Sequence, residues 1–115
     1  MLDHHAIFVQ LVANGDGLIF HVTGSIQKGM TYEQKDGRKP EASHSFVCKS
    51  SIGWVDENGK SRIDGILSGI PPPKKQFDGP KRLYPREPLR KCQEWTKEAI
   101  EALRSEGVLL CEKRE

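Results

Sequence analysis

The stretch RKCQEWTKEAIEALRSEG, Arg90 to Gly107, decides how this chain is read. Cys92, Trp95, Thr96, Ala99, Ile100 and Leu103 recur at the three- and four-residue spacing of one helical face. Gln93, Glu94, Lys97, Glu98, Glu101 and Arg104 take the other faces. The pattern predicts an amphipathic helix from about Arg90 to Ser105, with Gly107 as its C-terminal stop. Cys92 falls in the first turn, at the edge of the apolar stripe. The first turn of a helix leaves backbone N–H groups without intrahelical partners and carries a partial positive charge. Thiolates are stabilised in such places, and the same N–H groups can hold a developing oxyanion. Leu89, Arg90 and Lys91 precede the cysteine, so none of the usual N-capping side chains stands there. Two readings of Cys92 follow from position alone: a small buried hydrophobe, or a nucleophile.

Working back from this helix, Pro71 to Pro88 contains six of the seven prolines and is expected to be a loop or extended connector. Because it leads into Cys92, it is expected to line the substrate cleft. Ser61 to Ile70 places Ile63, Ile66, Leu67 and Ile70 at helical spacing and predicts a short helix. Asp56 to Lys60 (DENGK) is expected to be a turn, and Ser43 to Val55 a strand. At the other end, HHAIFVQLVA (His4–Ala13) and LIFHVT (Leu18–Thr23) flank Asn14-Gly15-Asp16-Gly17, a strong hairpin signal. Ile26 to Tyr32 is expected to be a third extended piece, with a polar loop from Asp36 to Ala42. The fold class expected is α+β: a small antiparallel sheet packed against the C-terminal helix that bears the cysteine, in one domain over residues 1–115.

The bulk composition fits this. The chain has 115 residues, 30% of them charged, and a net charge of +2. So small an excess of positive charge gives no footprint for nucleic acid. No apolar run approaches transmembrane length. Of the three cysteines, Cys48, Cys92 and Cys111, no two form a CxxC pair. With no basic, cleavable leader at the start, a reducing, cytoplasmic location is expected.

Among the four histidines, His44 reads as a polar lead-in to a strand. His4 and His5 open the first strand, where alternation lets only one face the core side. His21 lies on the return strand of the same hairpin and can converge with them near one end of the sheet. A Cys–His site needs this: a thiol at a helix N-terminus, an imidazole on an adjacent strand, and a polar group orienting that imidazole. A zinc site from two histidines and the cysteine competes, but no HExxH or close ligand pair supports it.

The motifs HHAIFV, IFHVTGS and RKCQEWTKEAIEAL, taken in that order, resemble the circularly permuted branch of the NlpC-type papain-like cysteine hydrolases, to which the lecithin:retinol acyltransferase-like enzymes belong. The likeness is greatest to small fungal proteins of that pattern and spans about residues 4 to 107. The histidine strand comes first and the cysteine helix last, which is the order of the permuted branch. The resemblance implies Cys92 as nucleophile, His4 as general base with His5 in reserve, and His21 as the residue that orients the base. It places His5, where the family usually has tryptophan, and Gln93 along the substrate site. The function implied is acyl transfer on an amide, ester or thioester of a peptide or small molecule. No cofactor, metal or nucleic acid is expected, and the oligomeric state is left open. The alternative is a non-catalytic binding module that keeps the hydrolase scaffold.

Overall fold

The computed structural model describes residues 5–11, 15–37 and 52–110. His4, His44, Cys48 and Cys111, and most of the strand expected over residues 43–55, lie outside the described residues. The element order is β1 (Ile7–Gln10), β2 (Gly17–Ser25), β3 (Gly29–Gly37), α1 (Glu57–Lys60), α2 (Ile63–Ser68), β4 (Phe77–Asp78), β5 (Lys81–Arg82) and α3 (Cys92–Ser105). Small antiparallel sheets and a C-terminal helix make this a mixed α+β fold.

The hairpin expected around Gly15 forms. β1 pairs antiparallel with β2 from Ile7↔Phe20 to Gln10↔Gly17, and Leu11 N–H donates to the Asp16 carbonyl at 3.0 Å inside the connection. Glycine is needed at position 17 because the backbones approach so closely that a Cβ there would collide with the Val9 carbonyl. The third strand differs from expectation. Ile26 to Lys28 form the turn between β2 and β3, and β3 continues to Gly37, so Asp36 belongs to a strand. Register explains it: Ser25 pairs with Gly29 and Gly17 with Gly37, so every residue of β2 has a partner.

Along β2 the consecutive residues Phe20, His21 and Val22 are all buried. Successive side chains leave opposite faces of a strand. Both faces of the sheet are therefore covered at its centre. On one face Phe20 and Val22 join Ile7, Ile63, Leu67, Cys92, Trp95, Ala99, Leu103, Val108 and Leu109 in the core. Trp95 is fully buried, packs against Tyr32 with ring centroids 5.7 Å apart and the planes tilted by 38°, and donates its indole N–H to the Ile70 carbonyl at 3.3 Å. Tyr32 lies opposite Val22 in the ladder, so this contact seats α3 on the Val22 face of the sheet.

The expected turn at Asp56–Lys60 is instead the one-turn helix α1. Asp56 is its N-cap, accepting from Gly59 N–H at 2.7 Å, and an acidic residue in that role starts a helix as readily as it makes a turn. The helix expected after it forms as α2, with Ile63 and Leu67 fully buried. At the end of α3, Val108 N–H donates to the Leu103 carbonyl and Gly107 N–H to that of Arg104, while Gly107 takes a positive φ of 73°. This is the Schellman arrangement, with Val108 and Leu103 in the accompanying apolar contact.

The connector from Pro71 to Pro88 is not structureless. It carries the small hairpin β4–β5, and it is tied to the β2–β3 turn: Met30 N–H donates to the Pro73 carbonyl at 2.8 Å, and Gln76 N–H to that of Ile26 at 2.7 Å. Among the described residues no helix is long and apolar enough to cross a membrane.

Candidate active site

α3 begins at Cys92, with Lys91 as N-cap. Lys91 is only a donor and gives the first turn no side-chain acceptor, as the sequence suggested. The Glu94 carboxylate does reach back, accepting from the Lys91 N–H at 2.8 Å. That is half a capping box, and it holds the residue before Cys92 in its extended conformation. The Cys92 sulfur is a thiol, 8% exposed for the residue as a whole. One polar neighbour is Gln93, whose Oε1 lies 3.5 Å from Sγ. The sulfur sits where the apolar core meets polar groups.

One turn along α3, Thr96 Oγ1 donates to the His5 carbonyl at 3.5 Å. This contact lays the segment that leads into β1 alongside the start of α3. The His5 side chain is exposed. The two ends of the sequence motif, widely separated along the chain, are thereby brought together. His4 lies outside the described residues.

His21 is placed differently. It is 6% exposed, and its Nε2 lies 2.8 Å from Glu33 Oε1, the cross-strand partner directly opposite. A carboxylate only accepts, so Nε2 carries the proton in this bond. The same bond holds the Glu33 carboxyl below its usual range. Burial pushes the other way, and Lys35, 3.8 Å from Glu33, adds a smaller lowering effect. By strand alternation the imidazole leaves the face opposite Phe20 and Val22, whereas Cys92 belongs to the cluster that contains those two. No hydrogen bond joins His21 to Cys92 among the described residues. Glu33 is a functional candidate that sequence reasoning missed. The signal that pairs it with His21 is the β2–β3 register, and no Asn-Gly or Asp-Gly marks the turn that sets it.

A second polar group on the core side is Tyr32, whose hydroxyl donates to Asp64 at 2.8 Å. Burial first, and then that bond, hold the phenol far above its ordinary range. It therefore stays protonated and links β3 to α2.

The connector does form a cleft of about 560 Å³, lined by Pro71, Lys74, Gln76, Pro88, Glu94 and Glu98 among others, but Cys92 is not one of its lining residues. At about 100° per residue, Glu94 and Glu98 are on the far side of α3 from the cysteine. The expectation that the connector lines the cleft around the nucleophile is corrected: this cleft opens on the charged face of the helix.

Among the described residues no three histidine, cysteine, aspartate or glutamate side chains gather as metal ligands.

The class so defined is a mixed α+β protein in which a long helix starting on a cysteine lies across an antiparallel sheet. A family model matches residues 1–110, and the chain belongs to that family, a family of unknown function (DUF6540). No curated protein and no solved structure matches it.

Proposed function

We propose that this protein is a cysteine-dependent acyl-transfer enzyme on a circularly permuted papain-like scaffold. The observation that carries the reading is Cys92 at the first residue of α3, on a cap that supplies no side-chain acceptor, with the His5 segment bound alongside one turn away. The order of elements, hairpin first and cysteine helix last, is the one the permutation requires.

In this mechanism an imidazole of the amino-terminal segment, assigned to His4 with His5 in reserve, takes the proton from Cys92 Sγ. The sulfur forms a bond to the carbonyl carbon of an amide, ester or thioester, and the π pair moves to oxygen. N–H groups at the start of α3 hold that oxyanion. Collapse of the tetrahedral species breaks the bond to the leaving group, which takes the proton back from the imidazolium. Water or an amine then attacks the acyl-thioester and releases Cys92 as a thiol. His21 lies at the centre of the sheet, where its bond to Glu33 fixes the imidazole. Its part in the reading is the one the resemblance implies, to orient the base.

The test is a panel of activated acyl esters and thioesters, with intact-mass spectrometry for a covalent adduct. The expected result is an added acyl mass on the wild type, absent in Cys92→Ala and slowed on the order of a hundredfold or more in His4→Ala, the scale of general-base contributions. The near-burial of Cys92 favours the rival, a binding module without turnover. Absence of any Cys92 adduct across the panel would establish that rival over the enzyme.

A further inference from the structure

Gln76 stands in the proline-rich connector and is 5% exposed. Its side-chain amide is used in both directions. Oε1 accepts from the Arg90 N–H at 2.8 Å, and Nε2 donates to the Arg90 carbonyl at 2.7 Å and to the Lys74 carbonyl at 3.1 Å. Its backbone is held as firmly, with N–H donating to the Ile26 carbonyl at 2.7 Å and the carbonyl accepting from Leu83 N–H at 3.0 Å. One residue thus connects the tip of the β2–β3 hairpin to the main chain two positions before Cys92.

We infer that Gln76 is a positioning residue for the Cys92 site, fixing where α3 starts relative to the β2–β3 hairpin. The paired donation and acceptance at Arg90 mimic a β-bridge, so the Arg90 peptide can neither slide nor rotate. From there Lys91 is held by Glu94, and the Arg90 guanidinium grips Glu98 with two bonds of 2.9 and 3.1 Å. The lead-in to the helix is therefore tied down on three sides, and the only tie to the sheet in this set runs through Gln76. Attack on a carbonyl demands that sulfur, base and oxyanion donors keep their separation, and a misplacement of about 1 Å costs on the order of a hundredfold in rate. A polar side chain buried deeply and fully bonded to main chain is built for such a purpose, whereas a packing role would be filled by an apolar residue.

The inference rests on the reading of Cys92 as nucleophile, and its test separates the two. Acylation of Cys92 is followed as a function of ester concentration in wild type, Gln76→Ala, Gln76→Met and Leu67→Ala. Gln76→Met keeps the volume and removes all three side-chain bonds. Leu67→Ala lowers stability from the core and removes none of the Gln76 hydrogen bonds. At temperatures where all four are folded, both Gln76 variants are expected to lose about tenfold or more in the limiting acylation rate, with the half-saturating ester concentration unchanged. Leu67→Ala is expected to acylate at the wild-type rate. Wild-type acylation with both Gln76 variants equally fast overturns the role of Gln76 alone. A loss as large in Leu67→Ala as in the Gln76 variants overturns it too, by reducing it to general stability. A wild type that forms no Cys92 adduct overturns the nucleophile reading and this inference with it.

Discussion

The pair His21–Glu33 shows how much one cross-strand contact can carry. His21 is sealed in the sheet centre while Glu33 is half exposed, so the carboxylate anchors an imidazole that could not turn to water for its hydrogen bond. The folded-state carboxyl titrates below its ordinary value of 4.5. Between the folded and unfolded values the folded chain therefore binds fewer protons than the unfolded one, and stability rises with pH there. The contribution is complete above about 4.5 and disappears as pH falls through the folded value. Urea midpoints measured from pH 6 to pH 3 are expected to fall more steeply for wild type than for Glu33→Gln, which cannot ionise. Parallel curves for the two proteins would show that the bond gives no linkage. This pair was only half legible in the sequence. His21 was visible as a candidate on a strand, but the turn between β2 and β3 lies at Ile26–Lys28, where no Asn-Gly or Asp-Gly marks it. Without that turn the register stayed unset, and Glu33 had no assigned partner.

At the scale of elements, α3 was legible almost to the residue because its information is local and periodic. Each buried position, from Cys92 through Trp95, Thr96 and Ala99 to Leu103, follows from the helical repeat. The stop at Gly107 was legible for the same reason, since only glycine takes the left-handed conformation without cost. Gly107→Ala is expected to destabilise the protein by about 1 kcal/mol, the cost of placing a Cβ at positive φ. Gly65 supplies the opposite case. It lies inside α2, and a Cβ built there meets nothing within 4 Å. Gly65→Ala is expected to stabilise by roughly 0.5–1 kcal/mol through helix propensity and the loss of unfolded-state freedom. Chemical denaturation of the two variants in parallel checks both signs, and equal shifts in one direction would contradict the assignment of either glycine. Where α1 stood, the sequence signal was ambiguous rather than missing: an acidic cap and a following Asn-Gly serve a helical turn and a reverse turn equally.

At the scale of the whole molecule the connector matters most, and there the sequence was least informative. Prolines announced a segment that could be neither helix nor inner strand, and the inference from them is a loop or extended connector lining the substrate cleft. The interactions that make it a strap instead are single long-range bonds: Pro73 to Met30, Gln76 to Ile26, Gln76 to Arg90. Such contacts leave no periodic trace, and one uncharged amide between Lys75 and Phe77 is the only hint that position 76 is special. The two halves of the connector are therefore expected to respond differently to replacement. A Gly-Ser segment in place of residues 73–76 removes the fully buried Pro73 together with the clamp on Arg90. At about 1 kcal/mol per hydrogen bond, the loss is several kcal/mol, a large share of the roughly 5–15 kcal/mol that holds a small protein folded. The same replacement over residues 77–82 removes two strands of two residues each and the exposed bond from Arg82 to the Glu87 carbonyl, and leaves the clamp on Arg90 in place. Thermal melts are expected to show a broad, early transition for the first replacement and a nearly unchanged one for the second. The reverse ranking would mean that α3 is seated by the core around Trp95 alone, with the strap contributing nothing.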